Sequence, residues 1–318
     1  MVAMWNDSLQ SDYDSLIAGT AIASLDDHFV ISLTGEDRHA FLHNFCTADI
    51  KKLSVGSCCE AFVLNGKGKT MALVHVLAFA DVIWLVGANK DSATLLLEHL
   101  DRYIIREDVQ LADETESIAM YFYPSEENMG KFASAERQPN ECFVPERLGD
   151  DVRAATIEMA GFGLWLAEKK QNAEALLTAL DVVCVGPASI AALNSIRIER
   201  ATPWSGTEAD DSNLPQELQR DEKAISFNKG CYLGQETVAR LDALGRVNQL
   251  LVRVQLGADS ASAGDELKAE EKVVGRVTSV AWSPQFDQWM GFAFVRRAQT
   301  VAGTVLQTAG GGTATVIA

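Results

Sequence analysis

Phe227-Asn228-Lys229-Gly230-Cys231-Tyr232-Leu233-Gly234-Gln235-Glu236-Thr237-Val238-Ala239-Arg240 is the stretch on which the reading of this chain turns. Two glycines bracket a cysteine and an aromatic residue, with a lysine before them and a Gln-Glu pair after. Glycine admits backbone angles closed to other residues and lets the chain pass close to a ligand, so Gly230 and Gly234 predict a tight turn. From Gln235 onward the pattern turns helical: Val238 and Leu241 are apolar, and Glu236 and Arg240 are spaced as an i,i+4 pair. Cys231 then sits just ahead of a helix N-terminus, with Lys229 two residues away. Both features favour a thiolate, which describes a reactive cysteine or a transient ligand for a soft metal. A small buried cysteine filling a corner fits the same residues.

The composition bounds the rest. A chain of 318 residues, 47% hydrophobic, buries a large core and is long enough for two or three domains. A net charge of −17 and a pI near 4.7 argue against direct binding to nucleic acid and suit a monomeric or weakly associating protein. No run approaches the roughly 20 apolar residues of a membrane span. The N-terminal region carries Asp7, Asp12 and Asp14 and no early basic residue, so neither a signal peptide nor an Arg-rich transit peptide is expected, and the predicted location is cytoplasmic. Cys46, Cys58, Cys59, Cys142, Cys184 and Cys231 form no C-x-x-C pair, so no zinc ribbon or permanent cluster is expected. Adjacent Cys58 and Cys59 open a strand, point to opposite faces and read as reduced packing residues.

Along the chain, residues 1–20 are polar and acidic, with at most a short helix. A strand over Phe29–Leu33 leads through Thr34-Gly35 into a helix from about Glu36 to Phe45. His39, His43 and Cys46 share a face of it, more consistent with a solvated or cavity-lining face than with a metal site. Strands Glu60–Leu64 and Met71–Phe79 flank the glycine-rich turn Asn65-Gly66-Lys67-Gly68-Lys69. Gly68-Lys69-Thr70 imitates the end of a phosphate-binding loop, but Val63 stands where that motif needs glycine, so nucleotide binding is excluded there. Val82–Gly87 is the next strand, and a helix capped by Asp91 or Ser92 runs to Tyr103 with Leu95, Leu96 and Leu100 inward. Strands and helices in this order predict an α+β domain with an antiparallel sheet. Ser125–Glu141 reads as a surface loop, Phe162–Ala167 as a strand and Ala173–Ala179 as a helix; Pro187 reads as the first turn of a helix through Ile190, Leu193, Ile196 and Arg197. Arg197-Ile198-Glu199-Arg200 precedes the cysteine stretch by only a loop, so a shared site is expected. Arg220, Lys223, Lys229, Arg240 and Arg246 add a local basic enrichment for an anionic ligand. Leu250–Leu256, Lys272–Ala281, Trp289–Arg296, Thr304–Thr308 and Ala314–Ile317 are strands of a small barrel or sandwich.

Lys229-Gly230-Cys231-Tyr232-Leu233-Gly234-Gln235-Glu236 resembles the signature of the YgfZ family, folate-binding proteins of iron–sulfur protein maintenance and tRNA modification, which is related to the aminomethyltransferase (T-protein) of glycine cleavage. Leu33-Thr34-Gly35-Glu36-Asp37, Phe41-Leu42, Thr47-Ala48-Asp49, Arg197-Ile198-Glu199, Pro215 with Glu217, and Val274-Gly275-Arg276-Val277-Thr278-Ser279 resemble the family's flanking segments in the right order. The resemblance implies an α+β, three-domain aminomethyltransferase-like fold around a central channel with a C-terminal β-barrel. On this chain that gives an N-terminal domain over 21–115, a middle domain over 116–245 carrying the octet, and a barrel over 246–318. It implies tetrahydrofolate, or a one-carbon derivative, in the channel, with Glu199 accepting two hydrogen bonds from the pterin and Arg197, Tyr232 and Arg240 nearby. A salt bridge to Arg197 or Arg200 is the structural alternative for Glu199. The transferases carry a catalytic aspartate after the first hairpin; here Gly68-Lys69-Thr70-Met71-Ala72-Leu73 has no carboxylate. The implied function is therefore a folate-binding accessory protein for iron–sulfur client enzymes, tRNA-thiolating enzymes among them. Cys231 is its reactive residue and Lys229 supports the thiolate. Gly230, Gly234, Gln235 and Glu236 shape the turn and the helix start, and Tyr232 either stacks on a ligand or packs in the core. A folate-dependent one-carbon transferase and a folate-sensing regulator are the alternatives.

Overall fold

The computed structural model describes residues 5–124, 137–181, 187–257 and 261–317. Most of the segment read as a surface loop over 125–141, and Cys184, lie outside the described residues.

The first unit contains α1 (Asp7–Ile17), β1 (Ile22–Ser24), β2 (His28–Thr34), α2 (Arg38–His43), β3 (Ser57–Leu64), β4 (Thr70–Ala78), β5 (Ile83–Ala88), α3 (Ser92–Asp101) and β6 (Gln110–Asp113). An antiparallel sheet runs in the order β3-β4-β5-β2-β6. Alternation along β4 decides its two faces: Ala72, Val74 and Val76 pack under α2 and α3, while Leu73 and Leu77 join other cores on the opposite face. The inward stripe of α3 is Ala93, Leu96 and Leu100; Leu95, expected inside, is 64% exposed because it falls on the other side of the helix. Cys58 and Cys59 do point into different cores.

The second unit adds β7 (Ile118–Tyr123), β8 (Cys142–Phe143), β9 (Arg153–Glu158), β10 (Phe162–Lys169), α4 (Ala173–Asp181), β11 (Pro187–Ala188) and α5 (Ile190–Glu199). Its sheet runs β11-β1-β7-β10-β9-β8. Strand β1 therefore leaves the segment assigned to the N-terminal domain and pairs in the second sheet, parallel to β11 and antiparallel to β7. Pro187, expected in a first helical turn, is in that strand instead; the helix starts at Ile190, capped by the Ser189 hydroxyl accepting from the Ala192 amide. The N-terminal segment is ordered as α1, capped by Asn6, with Tyr13 and Leu16 buried and the Asp12 carboxylate accepting from the Ser189 amide.

Two short helices follow, α6 (Asp221–Ala224) and α7 (Gln235–Leu244), and then a closed barrel. Its strands are β12 (Gln249–Leu256), β13 (Glu266–Ala269), β14 (Lys272–Ser283), β15 (Gln288–Arg296), β16 (Val305–Thr308) and β17 (Thr313–Ile317), in the order β12-β15-β14-β13-β16-β17. The units lock together through buried charge. Arg220 bridges Glu60 on β3 to Glu158 on β9, and Lys223 adds a second contact to Glu158. Burial opposes the Arg220 charge, but the two carboxylates outweigh it and lift its pKa above the ordinary arginine value. Among the described residues no helix is long and apolar enough to cross a membrane.

Candidate ligand site and cysteine motif

The octet is laid against the first unit. Gly234 has φ +81°, and a Cβ there would stand 2.7 Å from the Asn65 carbonyl oxygen and 2.8 Å from Gly68 Cα. Gly68, at φ +75°, is equally close to Thr237. These two glycines let the hairpin turn and the start of α7 touch. Gly230 has no such requirement: its nearest neighbour is His43 Nε2 at 3.7 Å from the would-be Cβ. Helix α7 begins at Gln235 as the sequence reading expects, and the Gln235 side chain accepts weakly from the Tyr232 amide at 3.4 Å. No ion pair joins Glu236 to Arg240; both side chains are exposed.

Lys229, expected to support a thiolate, does different work. Its ammonium, 8% exposed, donates to the carbonyl oxygens of His43, Cys46 (2.7 Å) and Ala48 (2.8 Å), closing the loop after α2. It lies 4.8 Å from the centroid of Tyr232, whose ring packs in a core cluster rather than standing free for a ligand. Burial lowers the Lys229 pKa and raises that of Tyr232 to about 12. Cys231 itself is exposed. Cys46, Cys58 and Cys142 are buried, and burial lifts Cys46 to about 11 and Cys142 to about 12, which leaves both as inert thiols. Among the described residues no group of three or more His, Cys, Asp or Glu side chains is placed to hold a metal; His43 Nδ1 lies 3.3 Å from Asp49 instead.

Glu199 and Arg197, at the end of α5, are buried, not surface charges. One Glu199 oxygen accepts from the Tyr13 hydroxyl at 2.8 Å, and the other accepts from the Ser283 hydroxyl and the Gln285 amide. Burial, reinforced by that bond to Glu199, raises the Tyr13 pKa, so the hydroxyl stays a donor. The carboxylate implied for the pterin thus ties α1 to the barrel and takes no salt bridge from Arg197 or Arg200. Arg197 is 2% exposed and pairs with Glu208 at 2.9 Å, and its Nε and Nη2 donate to Asn194 and Ser279, each at 2.7 Å. Burial lowers its pKa and Glu208 opposes that shift. Its plane covers Trp204 at 4.5 Å.

Around that stack opens a cleft of about 450 Å³, walled by α1, α5 and β14. Trp5, Trp204 and Trp282 supply aromatic surface, and Leu9, Ile190 and Ala281 supply apolar surface. The Ser195 hydroxyl lines it 1% exposed and without a hydrogen-bond partner. This is the size and lining of a site for a drug-sized organic ligand. Behind Trp204 lies a second cavity of about 20 Å³, the volume of about one water molecule, lined by His28, His75, Leu73, Glu60, Glu158 and Arg220. His28 packs edge-on to Trp204 at 4.9 Å, and both its ring nitrogens lack partners. Burial, then His75 and Arg197, push the His28 imidazole down to about 3. The cleft and the octet share no lining residue, so the expected single site is two separate places. Sequence reasoning missed Ser195, Asp27, Trp5 and the two histidines; the one signal for Ser195 was a polar Asn194-Ser195 pair inside the otherwise apolar Ile190–Ile196 run.

Comparison with known proteins agrees with this architecture. Residues 250–317 match the glycine cleavage T-protein C-terminal barrel domain. The chain is 26% identical to the tRNA-modifying protein YgfZ of Colwellia psychrerythraea, over 78% of this chain and 80% of that one. It is 25% identical to a putative chloroplastic transferase of Arabidopsis thaliana, over 94% and 71% of the two chains. An aminomethyltransferase of Caldanaerobacter subterraneus is 21% identical, over 91% of this chain and 80% of that one. The chain is a YgfZ-like relative of the glycine cleavage T-protein. Its fold matches the crystal structure of aminomethyltransferase T of the glycine cleavage system from Bartonella henselae, with a TM-score of 0.82 at 18% identity, over 97% of this chain and 88% of that one. In this T-protein relative β4 presents Leu73 and then His75 to the small cavity and no carboxylate; the carboxylates there, Glu60 on β3 and Glu158 on β9, are paired with Arg220.

Proposed function

We propose that this protein binds a tetrahydrofolate in the cleft between α1, α5 and β14. It serves as a folate-dependent accessory protein for iron–sulfur client enzymes, tRNA-thiolating enzymes among them, and meets the client through the exposed Cys231. The observation that carries the folate reading is the cleft itself: about 450 Å³, three indole surfaces and one fully buried hydroxyl left without a partner. A planar fused ring stacks on indoles, and its polar edge satisfies a buried donor that otherwise costs about 1–3 kcal/mol. The accessory role is favoured over aminomethyl transfer by the missing hairpin carboxylate, since no methionine, alanine or leucine stabilises a developing iminium charge.

Calorimetric titration of tetrahydrofolate into wild type, Ala191→Phe and Cys231→Ser proteins tests this. Ala191 lines the cleft at half burial, so the larger ring fills the site without opening the core. Saturable binding by wild type and Cys231→Ser, lost in Ala191→Phe, is the expected result; no binding by wild type removes the folate reading. In a strain lacking the gene, Cys231→Ser is expected not to restore client-enzyme activity, and full restoration removes the thiol role.

A folate-dependent one-carbon transferase is favoured by one feature, the His28–His75 pair behind Trp204. It requires formation of 5,10-methylene-tetrahydrofolate from a lipoyl-bound aminomethyl group, with ammonia released and the lipoyl thiol freed, or from a glycine-derived or sarcosine-like donor supplied with a two-electron oxidant, and absence of product with all three excludes it.

A further inference from the structure

The carboxylate expected to read the pterin, Glu199, is already held by Tyr13, Ser283 and Gln285 and does not line the cleft. The cleft has a different carboxylate. Asp27, on the turn between β1 and β2, lines it, and its side chain accepts no hydrogen bond and no ion pair among the described residues. Burial, then repulsion from Asp91, raises its pKa, and Lys90 pulls the other way. Helix α5 contributes two further polar groups to the lining. The Ser195 hydroxyl is buried without a partner. Asn194 Oδ1 accepts from Arg197 Nε, which can only donate, so the amide orientation is fixed and its Nδ2 is left as a donor without a protein acceptor.

The cleft therefore presents a two-oxygen acceptor at one place and donors at another. A 2-amino-4-oxo pyrimidine carries the complementary edge: an amino donor, a ring N–H donor and then an oxo acceptor. A flavin or a 2,4-dioxo pteridine presents acceptor, donor, acceptor, and would set a carbonyl against the Asp27 carboxylate at the cost of two unpaired acceptors.

Resting on the folate reading, we propose that Asp27, not Glu199, is the carboxylate that accepts from the ring N–H and amino group of the bound pterin, with Asn194 and Ser195 donating to its oxo side. Guanine has the same edge, so the chemistry recognised is that of a 2-amino-4-oxo fused pyrimidine, whether it comes from a folate or from a guanine nucleoside.

The test is calorimetry with five probes (tetrahydrofolate, pterin-6-carboxylate, lumazine-6-carboxylate, guanosine and riboflavin) on wild type, Asp27→Asn, Ser195→Ala and Glu199→Gln. Pterin and lumazine carboxylates differ only in the 2-amino against 2-oxo group. Asp27 is exposed and makes no side-chain bond, so Asp27→Asn keeps the fold, which an unchanged melting temperature verifies. Wild type is expected to prefer pterin over lumazine by about 10-fold or more, and Asp27→Asn to bind tetrahydrofolate about 10- to 100-fold more weakly with that preference gone. Ser195→Ala is expected to lose about 3- to 10-fold. Wild-type affinity in Asp27→Asn overturns the assignment and leaves the folate reading standing, as does a loss confined to Glu199→Gln. Guanosine binding in place of the folate, lost in Asp27→Asn, keeps the assignment and overturns the folate reading. Wild type that binds neither pterin nor guanosine, or that prefers riboflavin, overturns both.

Discussion

Replacing His28 by phenylalanine should make the protein more resistant to mild acid. The imidazole is 1% exposed, and burial first, then His75 and Arg197, push it from 6.5 down to about 3. Between those two values the unfolded chain takes up a proton that the folded chain refuses, so the contribution of His28 to stability is full above pH 6.5 and is lost as the pH falls toward 3. At pH 5.5 the loss relative to pH 7.5 comes to about 1.4 kcal/mol for this one residue. For a chain of this size that is a melting shift of about 2 °C. Phenylalanine keeps the edge-on contact with Trp204 and removes two buried nitrogens that have no protein partner. His39, His43 and His99 are also pushed down by burial and act on both proteins alike. The assay is a pair of thermal melts at pH 7.5 and 5.5 for wild type and His28→Phe, read as a difference of differences. Wild type should lose about 2 °C more than the variant. Equal losses refute the buried neutral imidazole.

Lys229→Met strands three carbonyl acceptors and should cost about 3 kcal/mol, whereas Cys231→Ser, on an exposed side chain, should stay within about 0.5 kcal/mol; equal melting temperatures would refute the structural role of the lysine. Gly234→Ala must force a Cβ against Asn65 and Gly68 in a left-handed backbone and should cost more than about 2 kcal/mol, while Gly230→Ala should cost less than about 1 kcal/mol by denaturant titration. Arg197→Met leaves Glu208 buried without its cation and should cost about 3–5 kcal/mol by denaturant titration; a variant as stable as wild type would refute the structural role of the pair.

Much of the fold was legible because antiparallel strands alternate and short turns carry glycine. Five of the six barrel strands were readable this way; β13 escaped because Glu266–Ala269 holds a single strong apolar residue, Leu267. Helix α7 was readable, but the direction of Lys229 was not. Helical or strand period fixes where a Cβ starts, not which of several carbonyls a four-carbon stem reaches. The partner of Glu199 was out of reach for another reason: Tyr13 is 186 residues away, and the sequence around it reads as a polar, acidic terminus. His75 is two residues beyond Leu73, and period two puts both on one face of β4, but nothing in the local sequence marks that face as the wall of a cavity. Ser195 has a local signal, yet nothing local distinguishes a polar helix residue that meets water from one that is sealed in a cleft.

The entry of β1 into the second sheet, with β2 starting four residues later in the first, has a consequence for inheritance. The two sheets are threaded like an interlaced seam, so a genetic crossover at the apparent boundary near residue 115 would strand β1 with the wrong half and strip a partner from β7 and β11 at once. The barrel carries no such thread. Its strands run uninterrupted in sequence from Gln249 to Ile317 and close on themselves, which makes it the portion a genome can shuffle whole.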